Sequence, residues 1–154
     1  VIEGHGRGAQ GPKVVASASV FYPDTERVMG WDVGEAGLKV VLAQSVPTLI
    51  HERIGADVDR FLAGHGLSRT DVDHWVLHTG GPKVLEAFEG ALSLPARALE
   101  RSWRSLETIG NCSSASVLHV LADFMASDEP REGELGLLAA MGPGFCAELV
   151  LLRW

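Results

Sequence analysis

Two short motifs present an imidazole and a carboxamide where strand-like runs give way to helix-like runs. They are His78-Thr79-Gly80-Gly81-Pro82-Lys83 and Gly110-Asn111-Cys112-Ser113-Ser114-Ala115. The His78 ring and the Asn111 amide can both donate hydrogen bonds to one small polar group, and donors of this kind stabilise an oxyanion or an enolate. No well-placed nucleophile accompanies the two donors. The pattern therefore indicates stabilisation of charge without covalent attack.

The residues themselves leave two other interpretations open. Asn111 or Ser113 could cap the helix that follows, because both residue types accept hydrogen bonds from the amides of a helix N-terminus. Cys112 could instead act as a nucleophile with His78, since a thiol at a helix N-terminus is favoured by the helix dipole. That second arrangement would describe a cysteine hydrolase.

Hydrophobic patterning predicts the elements that must position these motifs. The predicted strands cover residues 13–22, 38–42, 75–77, 135–141 and 146–154. The predicted helices cover residues 46–64, 82–92, 98–107 and 113–127. Helices that alternate with strands predict one α/β domain over residues 1–154, with a mixed β-sheet covered by helices.

Composition and charge exclude several classes of protein. Thirteen basic and twenty acidic residues give a net charge of −7, and the basic residues are scattered singly, which argues against a nucleic-acid partner. The apolar runs are shorter than the roughly 20 residues of a membrane-spanning helix, and no signal peptide opens the chain, so we expect a cytoplasmic protein. Two cysteines without a C-x-x-C pair indicate neither a disulfide framework nor a zinc site.

Two further features of the sequence predict no site. His74 and His78 lie four residues apart, but along a strand this spacing separates them by about 13 Å, so no metal site is expected. The glycine-rich residues 4–11 precede a proline and a β-branched run, which favours a loop over a phosphate-binding site. The chain opens with Val1 and reads there like the end of a strand, so we expect a domain of a longer polypeptide.

A third motif completes a family pattern. Gly142-Pro143-Gly144-Phe145, with Glu148 three residues later, follows the two motifs above in the order and approximate spacing found in type III polyketide synthases. Over nearly its whole length the chain resembles these chalcone-synthase-like enzymes. Residues 21–32 resemble the bacterial branch in particular, including the alkylpyrone and alkylresorcinol synthases that accept fatty acyl-CoA starters.

This resemblance implies the thiolase fold, which consists of two similar α/β halves, and it matches the chain to the C-terminal half. The catalytic cysteine of the family lies in the N-terminal half, which the chain lacks. His78 and Asn111 match the catalytic histidine and asparagine. Cys112 stands where the family generally carries an apolar residue such as Met, which disfavours a Cys112 nucleophile. Thr79 replaces the Pro that is common in plant members, as it does in bacterial members.

The resemblance also implies an activity and its partners. Family members are acyltransferases that condense an acyl-CoA starter with malonyl-CoA or methylmalonyl-CoA, with loss of carbon dioxide, and pyrone or resorcinol products are expected here. Coenzyme A thioesters are the substrates, and no further cofactor is expected. The expected protein partners are the N-terminal half of the same enzyme and a second copy of the complete enzyme in a homodimer.

Several residues are expected to contact the substrates. They are Lys83, Gly80, Gly81, Ser113, Pro143 and Val40. Lys83 can meet a coenzyme A phosphate, and the two glycines let the backbone approach a ligand closely. Val40 lies near a position that is bulky and aromatic in chalcone synthases, so a smaller side chain here would leave room for a long aliphatic starter.

Two alternatives share the implied fold. A ketoacyl-carrier-protein synthase III also has a His/Asn pair, but it typically shows His-Gln-Ala-Asn where this chain has His78-Thr79-Gly80-Gly81. A non-catalytic domain that keeps the thiolase fold for assembly is the other alternative. The motif favours the polyketide enzyme over the first.

Overall fold

The computed structural model of the chain describes residues 11–154. The strands in this range are β1 (Lys13–Phe21), β2 (Met29–Gly34), β3 (Gly37–Leu42), β4 (His74–Leu77), β5 (Leu135–Gly142) and β6 (Cys146–Arg153). The α-helices are α1 (Val46–Ala63), α2 (Pro82–Leu92), α3 (Glu100–Thr108) and α4 (Ala115–Met125), with 3-10 turns at Arg69–Asp71 and Ala96–Leu99. Residues 4–10 of the predicted glycine-rich loop and the strand-like start of the chain lie outside the described residues.

The main sheet has four strands in the order β1-β6-β5-β4. β4 and β5 are parallel, whereas β6 runs antiparallel to both β5 and β1. A parallel pair needs a long crossover connection, and α2, α3 and α4 lie in the chain between β4 and β5. The antiparallel pair β5 and β6 needs only the short turn after Gly142. The predicted mixed sheet with helices is confirmed.

Strand β4 lies between two layers of helices, and all four of its residues are buried. Trp75 and Leu77 belong to the main hydrophobic core, which α1 and α2 share. Val76 packs on the opposite face with Val117 and Phe124 of α4. Successive side chains of a strand point to opposite faces, so an uninterrupted apolar run suits a strand that is covered on both sides.

A separate hairpin contains a strand that the sequence analysis missed. β2 pairs antiparallel with β3, from Met29 opposite Leu42 to Gly34 opposite Gly37. Two glycines and an aspartate give β2 a weak intrinsic strand preference, so its pairing with β3 decides its conformation. One face of the hairpin is apolar and largely exposed. That face carries Met29, Trp31, Val33, Leu38, Val40 and Leu42.

Two predicted helices have different bounds in the structure. The last helix was expected over residues 113–127, whereas α4 covers Ala115–Met125. Ser113 has a φ of +58°, in the left-handed region, so the right-handed helix cannot include it. The segment expected at residues 98–107 is divided between a 3-10 turn that ends at Leu99 and the helix α3.

Thr25 joins the segment after β1 to the turn between β5 and β6. Its hydroxyl donates to the Tyr22 carbonyl oxygen at 2.5 Å and accepts from the Phe145 N–H at 3.0 Å. The Tyr22 hydroxyl donates to the buried Asp57 carboxylate of α1 at 2.7 Å. Burial, assisted by this carboxylate, raises the pKa of Tyr22, so the phenol remains a donor. These bonds tie the turn that contains Pro143 to α1.

Thr25→Val should lower the free energy of unfolding by about 1–3 kcal/mol, because it leaves the N–H of Phe145 without an acceptor in the core. Phe145 is fully buried, so water cannot replace the lost hydroxyl. Thr25→Ser keeps the hydroxyl and should be clearly more stable than the Val variant. Urea denaturation of both variants measures the difference, and equal losses in the two would contradict this account.

Candidate active site

An open cavity of about 650 Å³ lies at the carboxyl end of β4. His78, Gly80, Gly81, Lys83 and Asn111 all line it, so the fold brings the two sequence motifs to one place. The rest of the lining is largely apolar. It consists of Met29, Leu42, Ala43, Gln44, Val46, Pro47, Ile50, Pro82, Val84 and Met141.

His78 is fixed at the edge of the sheet directly after β4. Its backbone N–H donates to the Ala139 carbonyl oxygen of β5 at 3.0 Å, which continues the parallel pairing by one residue. The ring atom Nδ1 is buried and has no hydrogen-bond partner among the described residues. Nε2 is therefore the ring nitrogen that can hydrogen-bond to a ligand in the cavity. Burial lowers the pKa of His78, which favours the neutral imidazole.

The glycines after His78 turn the chain from β4 into α2. The Gly80 N–H donates to the His78 carbonyl oxygen at 3.0 Å, and this tight turn leaves the Gly80 carbonyl oxygen free for another donor. Gly81 is the N-cap residue of α2 and has a φ of +146°, a conformation that residues with a Cβ rarely adopt. The glycine at this position thus allows the helix to begin beside the cavity.

Asn111 connects the second motif to the first. Its Nδ2 donates to the Gly80 carbonyl oxygen at 3.1 Å, and its Oδ1 accepts from the Ser113 N–H at 2.9 Å. A primary amide carries two N–H donors, so one of them remains for a ligand in the cavity. His78 and Asn111 can therefore direct donors at the same small group, although 33 positions separate them in the sequence.

The interpretation of Asn111 or Ser113 as the helix cap is wrong. The N-cap residue of α4 is Ser114, and no side chain makes a capping hydrogen bond there. Ser113 instead donates its backbone N–H to Asn111, because its positive φ turns the chain back toward that side chain. The hydrogen bonds of Asn111 thus orient its own amide rather than the helix terminus.

Of the six expected substrate contacts, three line the cavity and three lie away from it. Lys83, Gly80 and Gly81 are lining residues. Ser113 lies in the loop that holds Asn111, Pro143 lies in the turn between β5 and β6, and neither lines the cavity. Val40 is 56% exposed and lies opposite Trp31 in the hairpin, two residues before the lining residue Leu42 on the same face.

Most residues of the apolar wall of the cavity could not be recognised from the sequence. Met29, Leu42, Ile50 and Met141 come from β2, β3, α1 and β5, and none of them belongs to a recognisable motif. Leu42 ends a predicted apolar strand, and this position was the sequence feature that could have indicated its place in the cavity wall. The others converge only when the hairpin, the first helix and the sheet pack together.

The proposed nucleophile Cys112 does not share the cavity with His78. Cys112 is exposed and is absent from the lining residues, although its neighbour Asn111 is among them. The hydrolase arrangement would require the thiol to face the imidazole. Within residues 11–154, no group of three His, Cys, Asp or Glu side chains is placed to hold a metal ion. The same range contains no helix with the length and apolarity to span a membrane.

Comparison with known proteins assigns the chain to a family. Residues 13–154 match the family described as "Chalcone and stilbene synthases, C-terminal domain". The chain belongs to this family. The chain is 51% identical over 148 residues to the 1,3,6,8-tetrahydroxynaphthalene synthase of Streptomyces peucetius subsp. caesius. This match covers 96% of the chain and 39% of that relative. The chain is 35% identical over 156 residues to the 3,5-dihydroxyphenylacetyl-CoA synthase of Amycolatopsis orientalis, covering 100% of the chain and 42% of that relative.

Solved structures agree with this assignment. The tetrahydroxynaphthalene synthase of Streptomyces coelicolor A3(2), a bacterial type III polyketide synthase, matches the chain with a TM-score of 0.89 at 31% identity. The match covers 96% of the chain and 42% of that structure. The expected match to the C-terminal half of bacterial type III polyketide synthases, with their thiolase-like fold, is confirmed. The chain spans about two fifths of the length of these relatives.

The imidazole of His78 should be neutral at pH 7 in this chain. Because burial lowers its pKa, its ring should titrate below the ordinary histidine value of about 6.5. NMR titration of the ring resonances measures this value, and the spectrum of a His78→Gln variant assigns the signal. A titration midpoint at or above the ordinary value would contradict the burial argument.

Proposed function

We propose that this synthase domain stabilises the enolate that a type III polyketide synthase forms from malonyl-CoA. The observation that carries the proposal is the placement of the His78 ring and the Asn111 amide on one cavity, with Asn111 held by the Gly80 carbonyl oxygen. Fixed donors at the point where negative charge develops lower the barrier to reaction. Neither group needs to form a covalent bond.

The reaction is divided between the two halves of the enzyme. A cysteine thiolate of the N-terminal half attacks the acyl-CoA thioester and releases coenzyme A. The carboxylate of malonyl-CoA then leaves as carbon dioxide, and the electron pair of the broken bond forms a thioester enolate. The enolate oxygen accepts hydrogen bonds from His78 Nε2 and Asn111 Nδ2. The enolate carbon attacks the acyl-cysteine carbonyl, and the thiolate leaves as the new carbon–carbon bond forms.

The finer proposal is a fatty acyl starter and a pyrone or resorcinol product, with malonyl-CoA or methylmalonyl-CoA as the extender. The apolar cavity wall supports an aliphatic chain, because ligand sites generally match the polarity of their ligands. Lys83 is exposed at the cavity, where its ammonium suits a coenzyme A phosphate. The motif His78-Thr79-Gly80-Gly81 disfavours a ketoacyl-carrier-protein synthase III, in which a carrier protein is the donor substrate.

A second product is supported by similarity to a curated relative. The Streptomyces peucetius protein is a 1,3,6,8-tetrahydroxynaphthalene synthase, and its identity to the chain is 51%. Formation of that naphthalene is therefore the rival to a pyrone or resorcinol product. Mass spectrometry of the products distinguishes these outcomes.

The proposed partner of the domain is the N-terminal half of the same enzyme. The hairpin face with Trp31, Val33 and Leu38 is apolar and exposed, and Leu118 and Met125 of α4 are exposed as well. Apolar surface of this extent favours burial against another protein surface. The complete enzyme is proposed to form a homodimer and to act in the cytoplasm, where its acyl-CoA substrates would be found.

Substitution of either donor should abolish most of the activity. In the complete enzyme, or with a matching N-terminal half supplied by co-expression, His78→Ala or Asn111→Ala should lower kcat by about 100- to 1,000-fold. Each variant removes one donor to the enolate oxygen. Initial rates of carbon dioxide release and of product formation from malonyl-CoA measure the effect.

Cys112→Ala is the matched control, because Cys112 adjoins Asn111 but does not line the cavity. It should retain nearly full activity. Full activity in either His78→Ala or Asn111→Ala would refute the proposed function. Loss of acyl-thioester hydrolysis in Cys112→Ala alone would favour the hydrolase, and a correctly assembled wild type without turnover would favour a non-catalytic domain.

Val40→Phe should shift the preferred starter toward shorter acyl chains. Val40 lies about 7 Å along β3 from the cavity residue Leu42, on the same face. A phenylalanine ring at this position would take up space next to the cavity that the end of a long acyl chain would need. Val14→Phe is the matched control, because Val14 has a similar exposure of 59% but lies on β1, outside both the cavity lining and the hairpin. Steady-state kinetics with acyl-CoA starters of graded length measure the preference, and an unchanged preference in Val40→Phe would refute this hypothesis.

A further inference from the structure

A buried hydroxyl lies beneath the loop that presents Asn111. Ser116 is 0% exposed and belongs to the first turn of α4. Its Oγ accepts a hydrogen bond from the Cys112 N–H at 2.7 Å and donates one to Asn111 Oδ1 at 3.4 Å. A serine hydroxyl has one hydrogen and two acceptor lone pairs, so it can make both bonds together.

These bonds determine which end of the Asn111 amide faces Gly80. Two donors, the Ser113 N–H and the Ser116 hydroxyl, both point at the same amide atom. That atom must be the oxygen, because the Ser113 N–H can only donate and the Gly80 carbonyl oxygen on the other side can only accept. The Ser116 hydroxyl gives the amide oxygen its second donor. The NH2 group is then directed at the Gly80 carbonyl oxygen and the cavity.

The loop that carries Asn111 is irregular, and backbone hydrogen bonds hold its two ends, from the Gly110 N–H to the Ser105 carbonyl oxygen at 3.2 Å and from the Ser116 N–H to the Ser113 carbonyl oxygen at 3.0 Å. Gly110 and Ser113 both have positive φ, at +87° and +58°, so residues 110–113 form neither helix nor strand. Asn111, Cys112 and Ser113 are exposed in this chain, whereas Ser116 is anchored in α4. The Ser116 hydroxyl is thus a fixed point against which the exposed loop is held.

We propose that Ser116 is a positioning residue for Asn111, which holds the amide oxygen away from the cavity so that an N–H donor faces the enolate oxygen. This inference rests on the proposed function, in which Asn111 donates to that oxygen. Ser116 itself contacts no reacting atom. Its contribution should be seen in kcat, since the donor is required when charge develops and not when the substrate binds.

The test compares Ser116→Ala with wild type in the complete enzyme. Ser116→Ala should lower kcat for malonyl-CoA decarboxylation and condensation by roughly three- to tenfold, the size of effect expected when one hydrogen bond is lost. The KM for malonyl-CoA should stay within about twofold, because ground-state binding is preserved. Ser116→Cys keeps a weak S–H donor in nearly the same volume and should recover part of the loss.

The matched control is Ser105→Ala. Ser105 is also a buried serine, in α3, and its Oγ has no hydrogen-bond partner among the described residues. Its removal should leave kcat unchanged, although it empties a similar volume. Thermal unfolding of all variants identifies any loss of folded protein. If Ser116→Ala does not fold, Ser116→Gly, which also lacks the hydroxyl, replaces it, and a wild-type kcat in that variant would overturn the proposal.

A double variant separates positioning of Asn111 from a general structural effect. In an Asn111→Ala background, Ser116→Ala should cause no further loss of kcat, because the side chain that it positions is gone. Independent, multiplicative losses would overturn the role of Ser116. If Asn111→Ala alone retains full activity, the proposed function fails. If Asn111→Ala is inactive while Ser116→Ala matches wild type, only the Ser116 proposal fails.

Discussion

The position of every group in the candidate site depends on the burial of β4 between two layers. This strand has only four residues, and α1 and α2 cover one face while α4 covers the other. Burial on both sides and parallel pairing with β5 fix where the strand ends. His78 follows at that point, with its backbone bonded to Ala139 and its ring at the cavity. A side chain that directly follows such a strand has its backbone held by the sheet itself.

Asn111 depends on β4 less directly. It precedes α4, which packs on the opposite face of the sheet from α1 and α2, and its loop is exposed. The bond from its amide to the Gly80 carbonyl oxygen joins the loop between β4 and α2 to the loop between α3 and α4. The second motif therefore follows a helix, and not the strand-like run that the sequence indicated. A rigid group after a buried strand and a hydrogen-bonded group on an exposed loop therefore form one site. The second group requires more supporting bonds, which Ser113 and Ser116 supply.

The hairpin of β2 and β3 extends the apolar wall of the cavity. Met29 and Leu42 contribute to the cavity wall, and the same face continues through Trp31 and Val40 to an exposed tip. This is the face that we propose to bind an acyl chain or the N-terminal half of the enzyme. The donor groups are thus built within the domain, whereas the full shape of the substrate site would be completed by the other half.

The sequence by itself determined the strands of the main sheet, most of the helices and the two candidate donor residues, whereas the order of the strands came from the tertiary structure. The apolar run Trp75-Val76-Leu77 favours a buried strand, and Gly80 and Gly81 favour a turn. The folded chain adopts the same local conformations at both places. Tertiary structure decided the strand β2, the late start of α4 and the apolar wall of the cavity. β2 has weak local preference and forms by pairing, Ser113 adopts a conformation that its type seldom favours, and Met29 and Met141 meet through packing. Contacts between residues distant in sequence decided these features, and no local pattern encodes such contacts.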